Sequence, residues 1–115
     1  MTQTDRTIRI AMNGVTGRMG YRQHLVRSIL AIRDQGGVTA PDGTTIQVEP
    51  ILVGRNEAKL RHIAQTHGLE EISTDIDTVM TRDDVDVYFD AQTTSRRHQA
   101  LRQAIEAGKH VYTEK

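Results

Sequence analysis

Residues 7–25 constrain the fold more than any other stretch of this chain. They read Thr7-Ile8-Arg9-Ile10-Ala11-Met12, then Asn13-Gly14-Val15-Thr16-Gly17-Arg18-Met19-Gly20, then Tyr21-Arg22-Gln23-His24-Leu25. The first six alternate apolar or β-branched side chains with others, which is the period of a strand. The next eight carry three glycines, which a strand interior tolerates poorly. Beyond Gly20 the period changes, and Leu25, Val26, Ile29 and Leu30 fall on one helix face. A helix start leaves N–H groups without partners and carries a partly positive dipole end. A phosphate can take those N–H bonds where no side chain blocks its approach. Strand, glycine turn and helix in this order therefore suggest a dinucleotide site. Gly14 is expected to make the tight turn, Gly17 to admit a pyrophosphate, and Gly20 to let the helix pack on the strand. Arg18 adds a positive charge. The spacing is G-x-x-G-x-x-G, with Val15 where the commoner G-x-G-x-x-G would put its first glycine. The plain alternative is a glycine-rich turn with no ligand.

The remaining chain repeats the alternation of strands and helices. The first helix is expected to stop near Arg33, before Asp34-Gln35-Gly36-Gly37. The segment from Asp34 to Pro50 is long for a connection and reads as a surface elaboration or a functional insertion. Thr44–Val48 suits a small strand or hairpin arm, and Ile51-Leu52-Val53 the second sheet strand, with Pro50 at its start. Asn56 is a candidate N-cap for a helix with Leu60, Ile63 and Ala64 inside, closed by Gly68. Ile72 suits a short strand. Thr74 is read as the cap of a short helix carrying Ile76, Val79 and Met80. Val85–Ala91 is rich in β-formers, and Gln92-Thr93-Thr94-Ser95 turns from it into a helix with Leu101, Ala104 and Ile105 in register. Gly108 stops that helix, and His110–Thr113 reads as a fifth strand. This pattern predicts an α/β fold, with a mostly parallel sheet and helices on both faces. Ligands of such sheets bind at the carboxyl ends of the strands. Gly14–Gly20, Gly54–Asn56, Gln92–Ser95 and Glu114–Lys115 all follow predicted strands.

Composition narrows the functions. Fifteen basic and fifteen acidic residues balance, so no strongly basic face argues for nucleic acid. There is no Cys, which excludes disulfides and thiolate metal sites. The five histidines show no metal-ligand pair on one helix face, and no metal is expected. Asp83, Asp84, Asp86 and Asp90 read as a solvated turn entering a strand rather than a cation site. Tyr21, Tyr88 and Tyr112 are read as packing residues. No apolar run suits a membrane helix, and Met1–Arg6 lacks the apolar core of a signal peptide. A soluble cytoplasmic protein without a membrane partner is the expectation.

The end of the second strand bears on the cofactor. NAD sites usually place a carboxylate there to hold the ribose hydroxyls. Here Gly54 leaves room for a 2′-phosphate, and the Arg55 guanidinium suits two charge-assisted hydrogen bonds to it. Asn56 offers a further donor. NADP is therefore expected over NAD, unless Arg55 is simply a solvated surface residue.

Val85-Asp86-Val87, Thr93-Thr94-Ser95-Arg96-Arg97-His98, Ala104-Ile105-Glu106-Ala107-Gly108-Lys109-His110-Val111 and Glu114-Lys115 resemble the glucose–fructose oxidoreductase / inositol dehydrogenase / rhizopine-catabolism (Gfo/Idh/MocA) family over essentially the whole chain. The resemblance implies a three-layer Rossmann-type domain over residues 1–115 of an NAD(P)-dependent oxidoreductase acting on sugars, polyols or similar small molecules. It assigns Lys115 beside the nicotinamide and the substrate, polarising the reacting oxygen. A fixed cation there would stabilise a developing alkoxide. It places Glu114 and Thr93 near the cofactor and His98 at a helix start. The candidate cofactor set is then Gly14, Thr16, Gly17, Arg18, Met19, Arg55, Asn56, Gln92, Thr93, His98 and Glu114. Thr94 departs from the family's turn proline. The chain also ends before the family's last strand and its second domain, which would bring the substrate pocket, a catalytic His and most contacts of a homo-oligomer. A fragment inactive alone is therefore expected. Two rivals remain: a nicotinamide-nucleotide-sensing module without catalysis, and a dihydrodipicolinate-reductase-like enzyme, which the Gly17–Gly20 run also resembles.

Overall fold

The computed structural model describes residues 5–16, 20–92 and 94–113, leaving out the side chains of 5, 20–24 and 94–97. Strand β1 (Asp5–Asn13) is central. It pairs in parallel with β3 (Thr45–Val53) along nine residues, and on its other side with β5 (Val87–Asp90). Beyond β5 lies β6 (His110–Thr113), also parallel. The far edge of β3 is shared by β2 (Val38–Thr39), antiparallel at its start, and β4 (Ile72–Ser73), parallel at its end. After β4 the chain crosses back over β3 and β1 to form β5. The strand order therefore reverses between β1 and β5, and a ligand cleft is expected there.

Helices cover both faces. Helix α1 is wound with i→i+5 geometry over Gly20–Leu30 and continues as α-helix over Ala31–Asp34. With Leu25 and Leu30 buried five residues apart, the wide winding stacks both on the sheet. They join Met12, Leu52 and Phe89 and, from α2 (Glu57–His67), Leu60 and Ala64. On the other face α3 (Ile76–Met80) and α4 (Thr94–Glu106) bring Val79, Met80, Ala100 and Ala104 against Ala11, Ile51, Val53 and Tyr88. The result is the three-layer Rossmann-type arrangement. None of the helices among the described residues is long and apolar enough to cross a membrane.

Three expectations change, and the reading of the Asp34–Pro50 connection gains detail. Thr45–Val53 is one strand with Pro50 inside it, not a separate arm and strand. The Leu52 N–H points outward to the Glu71 carbonyl, so the missing N–H of Pro50, two residues earlier, also faces that outer edge. Pro50 lies between the stretches paired by β2 and β4, where no ladder bond is lost. The long connection from Asp34 folds as a hairpin of β2 on β3. Its turn is closed by Ala40 N–H to the Thr44 carbonyl and Thr44 N–H to Asp42 Oδ1. Asp75, not Thr74, caps α3 and accepts from the Asp77 and Thr78 amides. On α4 the inner stripe is Ala100, Leu101 and Ala104, while Ile105 is 66% exposed.

Candidate functional site

The carboxyl ends of β1, β3 and β5 open onto one cleft of about 340 Å³, lined by Asn13, Gly54, Arg55 and Gln92 and flanked by α3 and α4. Gly14 makes it possible. Its φ is +91°, and a Cβ there would lie 2.6 Å from the Ala91 carbonyl carbon. The turn after β1 thus presses on the turn after β5, where the Ala91 N–H donates to the Asn13 carbonyl at 2.8 Å. Val15 is fully buried among Met12, Leu25 and Phe89. Its side chain builds core, which accounts physically for an apolar residue where the commoner motif has glycine.

Gly54 ends β3 with its N–H on the Ser73 carbonyl, and a Cβ there would sit 3.3 Å from Leu60. The absent side chain thus also makes room for α2. Arg55 is exposed and has no ion-pair partner among the described residues. Asn56 caps α2, with its Oδ1 accepting from the Lys59 N–H at 3.1 Å. That leaves its Nδ2 as the donor end. Thr16 is exposed and lines a neighbouring groove with Asn56, Lys59 and His62. His98 is exposed on α4. Gly17, Arg18, Met19, Thr93, Glu114 and Lys115 lie outside the described residues. Among the described residues, the structure brings Gly14, Arg55 and Gln92 to one place, with Thr16 and Asn56 in the adjoining groove.

A buried polar network behind the cleft was not expected. Asp90 is fully buried, not part of a solvated turn. Its Oδ2 accepts from the Tyr88 hydroxyl at 2.6 Å and from Gln92 Nε2 at 3.0 Å, and its Oδ1 from the Gln92 N–H at 2.8 Å. Asn13 Nδ2 donates to the Tyr88 hydroxyl at 3.0 Å. Burial, then the hydrogen bond and charge of Asp90, push the Tyr88 hydroxyl well above its ordinary pKa, so it stays a donor. One sequence signal was available. Tyr88 and Asp90 are two residues apart on a strand, so a polar pair shares the inward face at the strand's carboxyl end. Two others of that cluster have structural partners: Asp84 pairs with Arg82, and Asp86 accepts from the Arg9 N–H. No group of three His, Asp or Glu suited to a metal occurs among the described residues.

Residues 8–115 match the model of the Gfo/Idh/MocA oxidoreductase family, NAD-binding Rossmann fold. The chain belongs to this family. Over all 115 residues it is 60% identical to a D-xylose dehydrogenase of Paenarthrobacter nicotinovorans, and it spans 29% of that protein's length. Among solved structures, apo scyllo-inositol dehydrogenase from Lactobacillus casei matches the whole chain and 29% of its own, at 28% identity and TM-score 0.67. A levoglucosan dehydrogenase complexed with NADH and levoglucosan superposes with TM-score 0.73 over 95% of this chain and 28% of its own, at 23% identity, a likeness of fold. The chain is thus an NAD(P)-binding domain of an oxidoreductase family, and it covers under a third of these relatives.

Proposed function

We propose that this chain is the nucleotide-binding part of an enzyme that moves a hydride between NADP(H) and a sugar or polyol. Oxidation in that sense converts a substrate alcohol to a carbonyl, with the hydride passing to the nicotinamide and the hydroxyl proton to a base or solvent. The 60% identity to a D-xylose dehydrogenase supports an aldose such as D-xylose as substrate. The observation carrying the cofactor reading is the end of β3. Gly54 stands where a carboxylate would hold ribose hydroxyls, and the exposed Arg55 lines the cleft beside it. A guanidinium there favours a 2′-phosphate, and a carboxylate would repel it. Asn56 Nδ2 adds a donor. Gly14, Thr16, Gly17, Arg18, Met19, Gln92, Thr93, His98 and Glu114 complete the proposed cofactor set, with Lys115 polarising the reacting oxygen. A second domain would supply the substrate pocket and the contacts of a homo-oligomer.

Calorimetric titration with NADPH and NADH tests this. NADPH is expected to bind tighter, and Arg55→Ala to weaken it by about tenfold or more, as loss of a charge-assisted pair should, with NADH little changed. Equal binding of both cofactors would discard the role of Arg55. Binding of neither by the folded chain would discard the site.

A further inference from the structure

The buried network has a logic set by one proton. Asp90, fully buried, accepts from the Tyr88 hydroxyl, the Gln92 N–H and the Gln92 side-chain amide. An ionised carboxylate only accepts. The Tyr88 hydroxyl has a single proton, and the 2.6 Å contact commits it to Asp90. Any other group facing that hydroxyl must therefore donate to it. Asn13 Nδ2 does so at 3.0 Å, and Gln92 Nε2 lies 3.4 Å from it. Both amides are thus held with nitrogen toward the network. Their carbonyl oxygens therefore do not face the Tyr88 hydroxyl, and both residues line the cleft.

We infer that Asp90 and Tyr88 are positioning residues for the cofactor: they fix the polarity of the Asn13 and Gln92 amides, so the cleft meets the nucleotide with carbonyl acceptors. Their natural partners are donors, the ribose hydroxyls and the adenine amino group of a dinucleotide. Core packing alone does not call for this arrangement. A buried carboxylate is costly unless fully satisfied, and apolar side chains would fill the same face. The network also joins Asn13, the last residue of β1, to Gln92, two residues past β5, on either side of the switch point. The inference rests on the cofactor reading above.

The test is a double-variant cycle on the folded chain, read as calorimetric affinity for NADPH and NADH. Tyr88→Phe removes the oxygen that holds the Asn13 amide nitrogen and keeps the ring in the core, while Asp90 still holds Gln92 Nε2. It is expected to weaken both cofactors by roughly tenfold. Asn13→Ala should weaken them similarly. If Tyr88 acts through Asn13, the double variant is little weaker than Asn13→Ala alone, whereas a merely structural role gives losses that multiply. Asp90→Asn, a second route to the same disruption, should match Tyr88→Phe in affinity. Unchanged affinity in Tyr88→Phe and Asp90→Asn, or multiplying losses, overturns the inference while the wild-type chain still binds. A folded wild-type chain that binds neither cofactor overturns the cofactor reading and this inference with it.

Discussion

Gly14 and Gly43 share a backbone φ of +91°, and they hold it in different surroundings. At Gly43, in the β2–β3 turn, a Cβ would meet nothing within 4 Å. At Gly14 it would meet the Ala91 carbonyl carbon at 2.6 Å and the Gln92 nitrogen at 2.8 Å. Alanine at Gly43 therefore adds only backbone strain, about 1–2 kcal/mol. At Gly14 it adds a clash with backbone that no rotamer relieves, and the loss should be about twice as large. Urea unfolding of Gly14→Ala and Gly43→Ala would measure both, and equal losses would show that the two loops do not press together. Sequence marked Gly14 as a turn residue. The close approach was hidden, because it depends on Ala91, which lies across the strand pair.

The helix starts differ in how readable they were. Asn56 follows Gly54-Arg55 and precedes a clear apolar stripe, and it caps α2 as its position suggests. Thr74 and Asp75 are both competent caps, and only the backbone decides between them. Asp75 has the extended φ of −116° and takes the Asp77 and Thr78 amides. Hydrogen bonds from the Thr78 hydroxyl, then the Thr78 amide, then the Asp77 amide, hold its carboxyl below the ordinary value of 3.8. A carboxyl lowered on folding adds stability above its unfolded pKa, and that stability is lost as pH falls through the folded value. Unfolding midpoints should therefore drop below about pH 4, and less steeply in Asp75→Asn, which keeps the acceptor without the charge. Parallel acid profiles would remove Asp75 from the account. Two other features were illegible for physical reasons. The apolar positions 25, 26, 29 and 30 fit narrow and wide winding alike. Pro50 is tolerated inside β3 only because of which strands lie on its outer edge, a fact of topology rather than of local sequence.

Across the whole molecule the two ends of the sheet carry different chemistry. The carboxyl end holds the cleft and the Asp90 network, whose partner Asn13 lies 75 residues from Tyr88. Alternation of strands and helices foretold that end; the pairing of those side chains was beyond local pattern. At the amino ends of β4 and β5, Arg82 grips Asp84 with Nε and Nη2 at 2.8 and 2.7 Å and reaches Glu71 at 3.0 Å. Lys109, entering β6, donates to the Arg82 carbonyl. One side chain thus ties the approaches to β4 and β5, and its carbonyl takes the approach to β6. The groups are part-exposed, so solvent screening limits the gain. Arg82→Met should then lower stability by about 1 kcal/mol. Its distance from the cleft in the fold sets the other half of the prediction: cofactor affinity should stay within error of wild type while Tyr88→Phe loses it. Chemical unfolding and calorimetry on the same samples separate the two. A loss of cofactor affinity in Arg82→Met would mean that the strands transmit strain from one end of the sheet to the other, and that stability and binding share one network.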